Sequence, residues 1–220
     1  MLKWGSIVNV RDAIPFCFIL FVIQFSIFDI IKYNVGGYKM SRRSELMGKA
    51  VDICNNRYKN SMSVYSDKEI KQVMKDLYYL NIAKQVLALS TCLRRNYGAV
   101  IVKDDRIVSC GYNGAPAGEK NCSDIGYCAR EAMGVPSGQR YELCVACHAE
   151  ENSIINASKE EMKGATIYIA GENFDGTPAN PQPCLMCRKM IKNSGIVRVV
   201  GLVNDEPKDL DVSEPPRVKV

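Results

Sequence analysis

The chain carries a single histidine, His148, inside the run CVACHAEENS at 144–153. One imidazole can anchor one metal centre, so the residues on either side compete for it. Read toward the N-terminus, Cys144, Cys147 and His148 spell Cys-x-x-Cys-His, the attachment motif of a c-type haem. Read toward the C-terminus, His148 and Glu150 form a His-x-Glu step, and PQPCLMC further along offers Cys184 and Cys187. One histidine and two cysteines leave the fourth tetrahedral position of a zinc ion to water, the arrangement of a catalytic site. Haem attachment would leave Glu150, Cys184 and Cys187 without a role. It would make the chain a membrane-tethered electron carrier, and that reading stands as the rival class.

The local patterns say how the zinc ligands could meet. Residues three apart share one face of a helix, so Cys184 and Cys187 at a helix start can present both sulfurs to one ion. The positive end of the helix favours the thiolate, which is the form that binds metal. A second helix opening at His148 brings the imidazole to the same point. Glu150, two residues on, then lies beside the ion, where a carboxylate can carry protons.

Around these motifs the pattern reads α-β-β-α-β-α-β. SDKEIKQVMKDLYYLNIAKQVLAL begins with Ser66 as N-cap and Glu69 three residues later, a capping box. Val73, Leu77, Leu80, Ile82, Ala83 and Val86 follow as a helical stripe. GAVIVKDDRIVSCGYNG predicts two strands around a tight Asp104-Asp105 turn. HAEENSIINAS reads as a short helix and ATIYIA as a strand. CLMCRKMIKNSG reads as a helix stopped by Gly195, and IVRVVGLV as a strand. The strand-helix-strand order implies parallel pairing of the later strands, with helices on both faces. NDEPKDLDVSEPPRVKV is polar and proline-bearing, and residues 205–220 are expected to be a loose tail.

Charge narrows the partners. Up to Val73 there are 11 basic and 6 acidic residues, and from Met74 onward 18 of each. A segment without net charge is a poor match for a nucleic-acid backbone, which needs a basic stripe, so no nucleic-acid partner is expected. A small nucleotide needs only one or two local donors. Eight of the ten cysteines lie between Cys92 and Cys187, a concentration that in a reducing cytosol points to metal ligands.

The N-terminal region is of another kind. AIPFCFILFVIQFSIFDII at 13–31 is close to membrane-spanning length but is weakened by Gln24, Ser26 and Asp29. If it inserts, the following Lys32, Lys39, Arg42 and Arg43 leave the rest of the chain cytoplasmic. Otherwise residues 1–39 are a stray hydrophobic helix or a misassigned start. Residues 40–73 read as a basic linker with a helix, and 74–204 as the catalytic domain. The expected location is the cytoplasm, with tethering only through 13–31.

Taken together, STCLRRNYGAVIVKDDRIVSCGYNGAPAG, then NC, GYC, CHAEENSII and PCLMC, resemble the deoxycytidylate (dCMP) deaminase family, including its late-competence-operon members. The resemblance spans roughly Met74 to Val203. It implies an α/β fold, the cytidine deaminase-like three-layer α/β/α sandwich with a five-stranded mixed sheet. It implies zinc-dependent hydrolysis of dCMP to dUMP and ammonia, a step of pyrimidine nucleotide biosynthesis that feeds thymidylate. Residue by residue, it makes His148, Cys184 and Cys187 the catalytic zinc ligands and Glu150 the proton shuttle. Asn113 becomes a substrate contact, together with the backbone amides of Ala149 and Cys184.

The resemblance also implies a homo-oligomer, commonly a hexamer, and in some members allosteric control by dCTP and dTTP. Arg94 and Arg95 are the candidate phosphate or effector contacts, with Arg130 and Arg140 as further arginines in the loop before Cys147. The family often holds a second, structural zinc in that loop. The thiols here that suit it are Cys92, Cys122, Cys128 and Cys144, with Tyr141 standing where relatives often supply a histidine. Cys147 has no place in the family pattern. Two alternatives remain: a deaminase of the same fold acting on another cytosine or purine substrate, and a DNA-uptake accessory that retains the fold.

Overall fold

The computed structural model describes residues 42–57, 66–136 and 138–213. The apolar run at 13–31 lies outside them. Among the described residues no helix is long and apolar enough to cross a membrane.

Two helices lead in, α1 (Arg42–Arg57) and α2 (Asp67–Leu87). Ser66 caps α2 as its sequence predicts. Its hydroxyl accepts from the Glu69 N–H, and the Glu69 carboxylate accepts from the Ser66 N–H at 2.6 Å. Val73, Leu77, Leu80 and Ala83 of the expected stripe are buried, with Ile82 and Val86 partly so. Val73 and Leu77 pack against Ala50, Ile53 and Cys54 of α1.

Strands β1 (Arg95–Lys103) and β2 (Arg106–Tyr112) form the expected hairpin. Asp104 and Asp105 both have positive φ, 50° and 60°, which a two-residue turn matching strand twist requires. The loop that follows holds α3 (Cys122–Ile125), α4 (Ala129–Ala132) and a 3-10 turn at Tyr141–Leu143. Then come α5 (Ala149–Ile155), α6 (Lys159–Met162), β3 (Thr166–Asn173), α7 (Leu185–Ser194), β4 (Arg198–Val203) and β5 (Glu206–Asp209). Gly195 ends α7 in the left-handed region, φ 87°.

The sheet order is β2-β1-β3-β4-β5. Only β3 and β4 pair in parallel, across α7, and the other pairings are antiparallel. Strand alternation sorts the side chains into two cores. Ala99, Ile101, Ile167, Ile169 and Val199 face α5, α6 and α7. Val100, Val102, Tyr168, Ala170 and Val200 face α2. The result is the three-layer sandwich with a five-stranded mixed sheet.

The tail departs from expectation. Residues 206–209, read above as loose, form β5 on the edge of the sheet, with Leu202 opposite Pro207. Its entry turn, Asn204-Asp205, has φ of 52° and 62°. It repeats the Asp104-Asp105 turn, and that signal was available in the sequence. The polar composition hid the strand, since an edge strand needs little apolar surface and tolerates proline.

Two glycines set the layer spacing. A Cβ at Gly98 would run into the Ala83 carbonyl oxygen and lie 2.6 Å from the Leu87 nitrogen, so α2 rests directly on β1. A Cβ at Gly111 would run into the Ser153 nitrogen and lie 2.5 Å from the Ala149 oxygen, so α5 rests directly on β2.

One buried charge network ties α2 to the sheet. Asp76, 3% exposed, receives both terminal nitrogens of Arg198 at 2.7 and 2.8 Å and the Tyr168 hydroxyl at 3.0 Å. Arg198 also donates from Nε to Asp209 of β5 at 2.8 Å. Burial pushes the Tyr168 phenol well above its ordinary range, and the neighbouring Asp76 carboxylate adds to this.

Replacing Asp76 with Ala strands the Arg198 guanidinium and the Tyr168 hydroxyl. The expected cost is about 3 kcal/mol, near the lower end for breaking a buried pair because Arg198 is partly exposed. Urea unfolding reads it as a lowered midpoint at unchanged slope. Gly111→Ala must force α5 off β2 and should cost about 1–3 kcal/mol, the usual penalty of overpacking. A thermal melt matching that of the unsubstituted chain would contradict the close approach described.

Candidate metal centre and cavity

Two helix starts converge on one point. His148 is the N-cap of α5, and its N–H donates to Glu151 Oε2 at 2.8 Å. Cys184 is the N-cap of α7, where its Sγ accepts from the Cys187 N–H at 3.4 Å. The capping roles fix the directions of both side chains. His148 Nδ1 lies 3.6 Å from Cys184 Sγ and 3.4 Å from Cys187 Sγ. Zinc bonds of about 2.3 Å to sulfur and about 2.0 Å to nitrogen at a tetrahedral angle put the two ligand atoms about 3.5 Å apart. The three residues therefore fit a zinc ion. They are also the one group of three or more candidate ligands among the described residues whose ligand atoms all lie within 4.8 Å of one another.

The electrostatics suit the same use. The Cys184 thiol is held down to about 4, first by its pairing with Cys187 and then by His148. The same pairing pushes Cys187 up. The start of a ten-residue helix adds a positive end at these sulfurs. Glu150, in the first turn of α5, is 6% exposed, and burial pushes its carboxyl up.

The imidazole thus meets Cys184 and Cys187 and not the thiols of the haem motif. Cys144 turns to another group of cysteines, described below. Cys147 joins its backbone to Gly114, donating at 2.9 Å and accepting at 3.3 Å. That bridge pins the GYNG turn beside the segment entering α5, which explains the position of Cys147 without a role for its thiol.

One cavity takes in His148, Glu150, Cys184 and Ala149, and with them Asn113. Asn113 is buried. Its Oδ1 accepts from the Tyr97 N–H and the Ser90 hydroxyl, both at 2.7 Å, and its Nδ2 donates to the Arg95 carbonyl at 2.9 Å. The side chain clamps the turn to the start of β1, with one amide hydrogen left for a ligand.

Arg94, Arg95 and Arg130 border this cavity. Arg94 is paired with Glu131 at 2.7 Å, and Arg95 Nε donates to Asn173 Oδ1 at 3.2 Å. Arg140 stands apart, exposed and paired with Glu142.

Cys92, Cys122, Cys128 and Cys144 form a second wall of the cavity. Burial raises the Cys122 and Cys144 thiols, and neighbouring thiols of the group raise them further. No three of these sulfurs close to the mutual separation reached by the His148 group.

Sequence reasoning missed Tyr97. It borders the cavity, its hydroxyl donates to the Asn180 carbonyl at 3.0 Å, and burial pushes its phenol up. The signal was the period of two, which puts residue 97 on the face of Ala99 and Ile101 toward α5. On α2, Tyr79 packs into the core whereas its neighbour Tyr78 is exposed. Tyr79 is buried, lies 5.2 Å from the Tyr168 ring, and donates to the Asp105 carbonyl.

Comparison with known proteins agrees with this geometry. Residues 73–203 match the family described as the cytidine and deoxycytidylate deaminase zinc-binding region. The deoxycytidylate deaminase of Mycobacterium phage D29 is 42% identical over 130 residues, covering 57% of this chain and 91% of that protein. That of Saccharomyces cerevisiae is 30% identical over 179 residues, covering 74% of this chain and 53% of that protein. ComE operon protein 2 of Bacillus subtilis is 35% identical over 130 residues, covering 55% and 56%. The chain thus spans about half the length of the yeast and Bacillus relatives and most of the phage one. The match covers more than half of the chain and agrees with the His148, Cys184 and Cys187 cluster, the buried Glu150 and the fold, and the chain belongs to the cytidine and deoxycytidylate deaminase family.

Proposed function

We propose that the chain is a zinc-dependent hydrolase that converts dCMP to dUMP and ammonia, supplying dUMP for thymidylate synthesis. One observation carries the reading. His148, Cys184 and Cys187 stand at tetrahedral separations, with Glu150 buried beside them in a cavity whose other charged side chains are arginines.

A zinc ion on these three ligands supplies Lewis-acid activation of a water molecule. The chain's own residues do the rest. Glu150 accepts one proton from the attacking water and passes it to the ring nitrogen next to C4 as the C–O bond forms. It then takes the second proton from the oxygen now on C4 and gives it to the amino group, so that the C–N bond breaks, the carbonyl forms and ammonia leaves. Burial raises its carboxyl, which makes it the better proton acceptor. Asn113 has its remaining amide hydrogen for the bound nucleoside. The Ala149 N–H, in the first turn of α5, has no partner within the helix and is free to orient the water and the ring.

The reading extends to a second, structural zinc on Cys92, Cys122, Cys128 and Cys144. Its support is chemical. Four thiolates complete a tetrahedral shell, and the four thiols share one cavity wall in a loop that has few apolar side chains to hold it.

The full chain, followed by ultraviolet absorbance with dCMP added, should show loss of the cytosine band, and chelation should abolish it. Glu150→Gln should keep its catalytic zinc and lose at least about a hundredfold in kcat, the usual minimum worth of a general acid–base group. Turnover at the unsubstituted rate in that variant would end the proposed proton route. Elemental analysis should find two zinc ions per chain, falling to one in Cys128→Ser. A single zinc in both would remove the loop site and leave the catalytic one.

A further inference from the structure

The two ends of the metal centre are built differently. His148 enters α5 from a segment held by the backbone bridge between Cys147 and Gly114, and the α5 backbone rests on β2. Cys184 enters α7 from residues 180–183, which belong to no helix or strand. Two of the four, Pro181 and Pro183, have no N–H to give. Side chains hold this segment instead. The Tyr97 hydroxyl donates to the Asn180 carbonyl. Arg188, the residue after Cys187, donates from Nε to the Pro183 carbonyl at 2.9 Å.

The chain beyond β5 comes back over the same segment. Leu210 donates its N–H to the Val199 carbonyl at 2.8 Å, and Leu210 and Val212 pack on the core that faces α7. Leu210 and Pro181 meet over Gly201, where a Cβ would lie 2.7 Å from Leu210 Cδ1 and 2.6 Å from Pro181 Cγ. Gln182 Nε2 donates to the Asp211 carbonyl at 2.6 Å. A terminal nitrogen of Arg188 donates to the Ser213 carbonyl at 3.2 Å. Asp211 closes this stretch on itself, its carboxylate accepting from the Ser213 N–H at 2.7 Å and from the Ser213 hydroxyl at 2.6 Å. Residues 210–213 lie beyond the span 73–203 that matches the family, so the family match does not account for them.

We propose that residues 210–213 are a strap over the entry to α7, that Arg188 is the positioning residue through which it acts, and that together they keep Cys184 and Cys187 where His148 can share a metal ion with them. The proposal rests on the zinc deaminase reading above and adds to it the residues that maintain the ligand frame. Arg188 is the joint. Its planar guanidinium grips the carbonyl next to Cys184 and the carbonyl of Ser213 at once, and so ties the ligand loop to the strap. Leu210 is the anchor, hydrogen-bonded to β4 and set against Pro181. Lifting the strap removes the Gln182 and Ser213 contacts together and uncovers Pro181. It leaves a loop whose prolines have no N–H with which to replace them.

The full chain, Arg188→Met, Leu210→Ala and the double variant are loaded with zinc. Release to excess chelator is followed with a colorimetric zinc indicator, alongside the loss of dCMP turnover that marks the catalytic ion. Leu80→Ala, in the core on the α2 face of the sheet, supplies a chain destabilised away from the strap. Release of the catalytic zinc should be on the order of tenfold faster in Arg188→Met, the lower end of what orienting a metal ligand is worth in affinity. Leu210→Ala should speed release too, and the double variant should release no faster than the faster single one, because both lose the same strap. Arg188→Lys keeps a donor but loses the plane, and should recover part of the difference. Release no faster than in Leu80→Ala at a matched loss of melting temperature makes the contacts merely structural and overturns the proposal. Effects that multiply in the double variant also overturn it, since Arg188 would then act on Pro183 without the strap. Should Arg188→Met fail to fold, Leu210→Ala and Arg188→Lys decide, and unchanged release in both sinks the idea. An unsubstituted chain that binds no zinc, or binds it without turning over dCMP, rejects the deaminase reading itself, a result distinct from all of these.

Discussion

The site depends on one backbone contact, the approach of α5 to β2 at Gly111. There the helix lies so close that its backbone occupies the space a side chain would need. The contact fixes where α5 begins, and α5 begins at His148. On the other side of the site, α7 crosses between the parallel strands β3 and β4 and opens at Cys184. Both ligands are helix caps, so their side-chain directions follow from the geometry by which each helix starts. This accounts for ligand separations near those of a tetrahedral zinc shell without any ligating residue leaving its local structural role. Precision at the centre comes from rigid elements below it, which is the condition for a site held within a fraction of an ångström.

Two arginines are held in different ways. Arg198 is matched in full. Asp76 takes its fork, Asp209 takes its Nε, and the three residues lock α2, β4 and β5 together. Arg130 is at least as buried, yet it receives only carbonyls and a ring face. Glu131, the next residue, pairs instead with Arg94. The loop places its nearest carboxylate on the more exposed arginine and holds the buried one by carbonyls and a ring face.

Much of this was legible in the sequence, and the unread parts share a cause. The capping box at Ser66, the Asp104-Asp105 turn, the Gly195 stop and the alternation in β1 and β3 are local, and each appeared where the residues put it. The cluster of His148, Cys184 and Cys187 was legible because all three stand at helix starts, where spacing alone predicts direction. Strand β5 was unread because its composition is that of a loop and its partner, β4, supplies the order. Tyr97 was unread because its ring is placed by the period of the strand and named by nothing in the motif. The arginines could not be ranked because their difference lies in what pairs with them, and pairing is tertiary. The apolar run at 13–31 lies outside the described residues.

The two cysteine groups extend the argument from placement to chemistry. Cys184 and Cys187 are held by one short helix turn, so their separation is set before any metal arrives. Cys92, Cys122, Cys128 and Cys144 come from the approach to β1, from the ends of two four-residue helices, and from the close of a 3-10 turn. No single element fixes their spacing, and their sulfurs lie further apart than the first group. A metal bound by the first group is received by a preformed frame, whereas one bound by the second would have to supply the frame itself. The same loop carries Arg130 and Tyr141, and Tyr141 touches His148. Any ion that tightened the four thiols would therefore also bear on the cavity wall beside His148, and the two cysteine groups are joined through one aromatic ring.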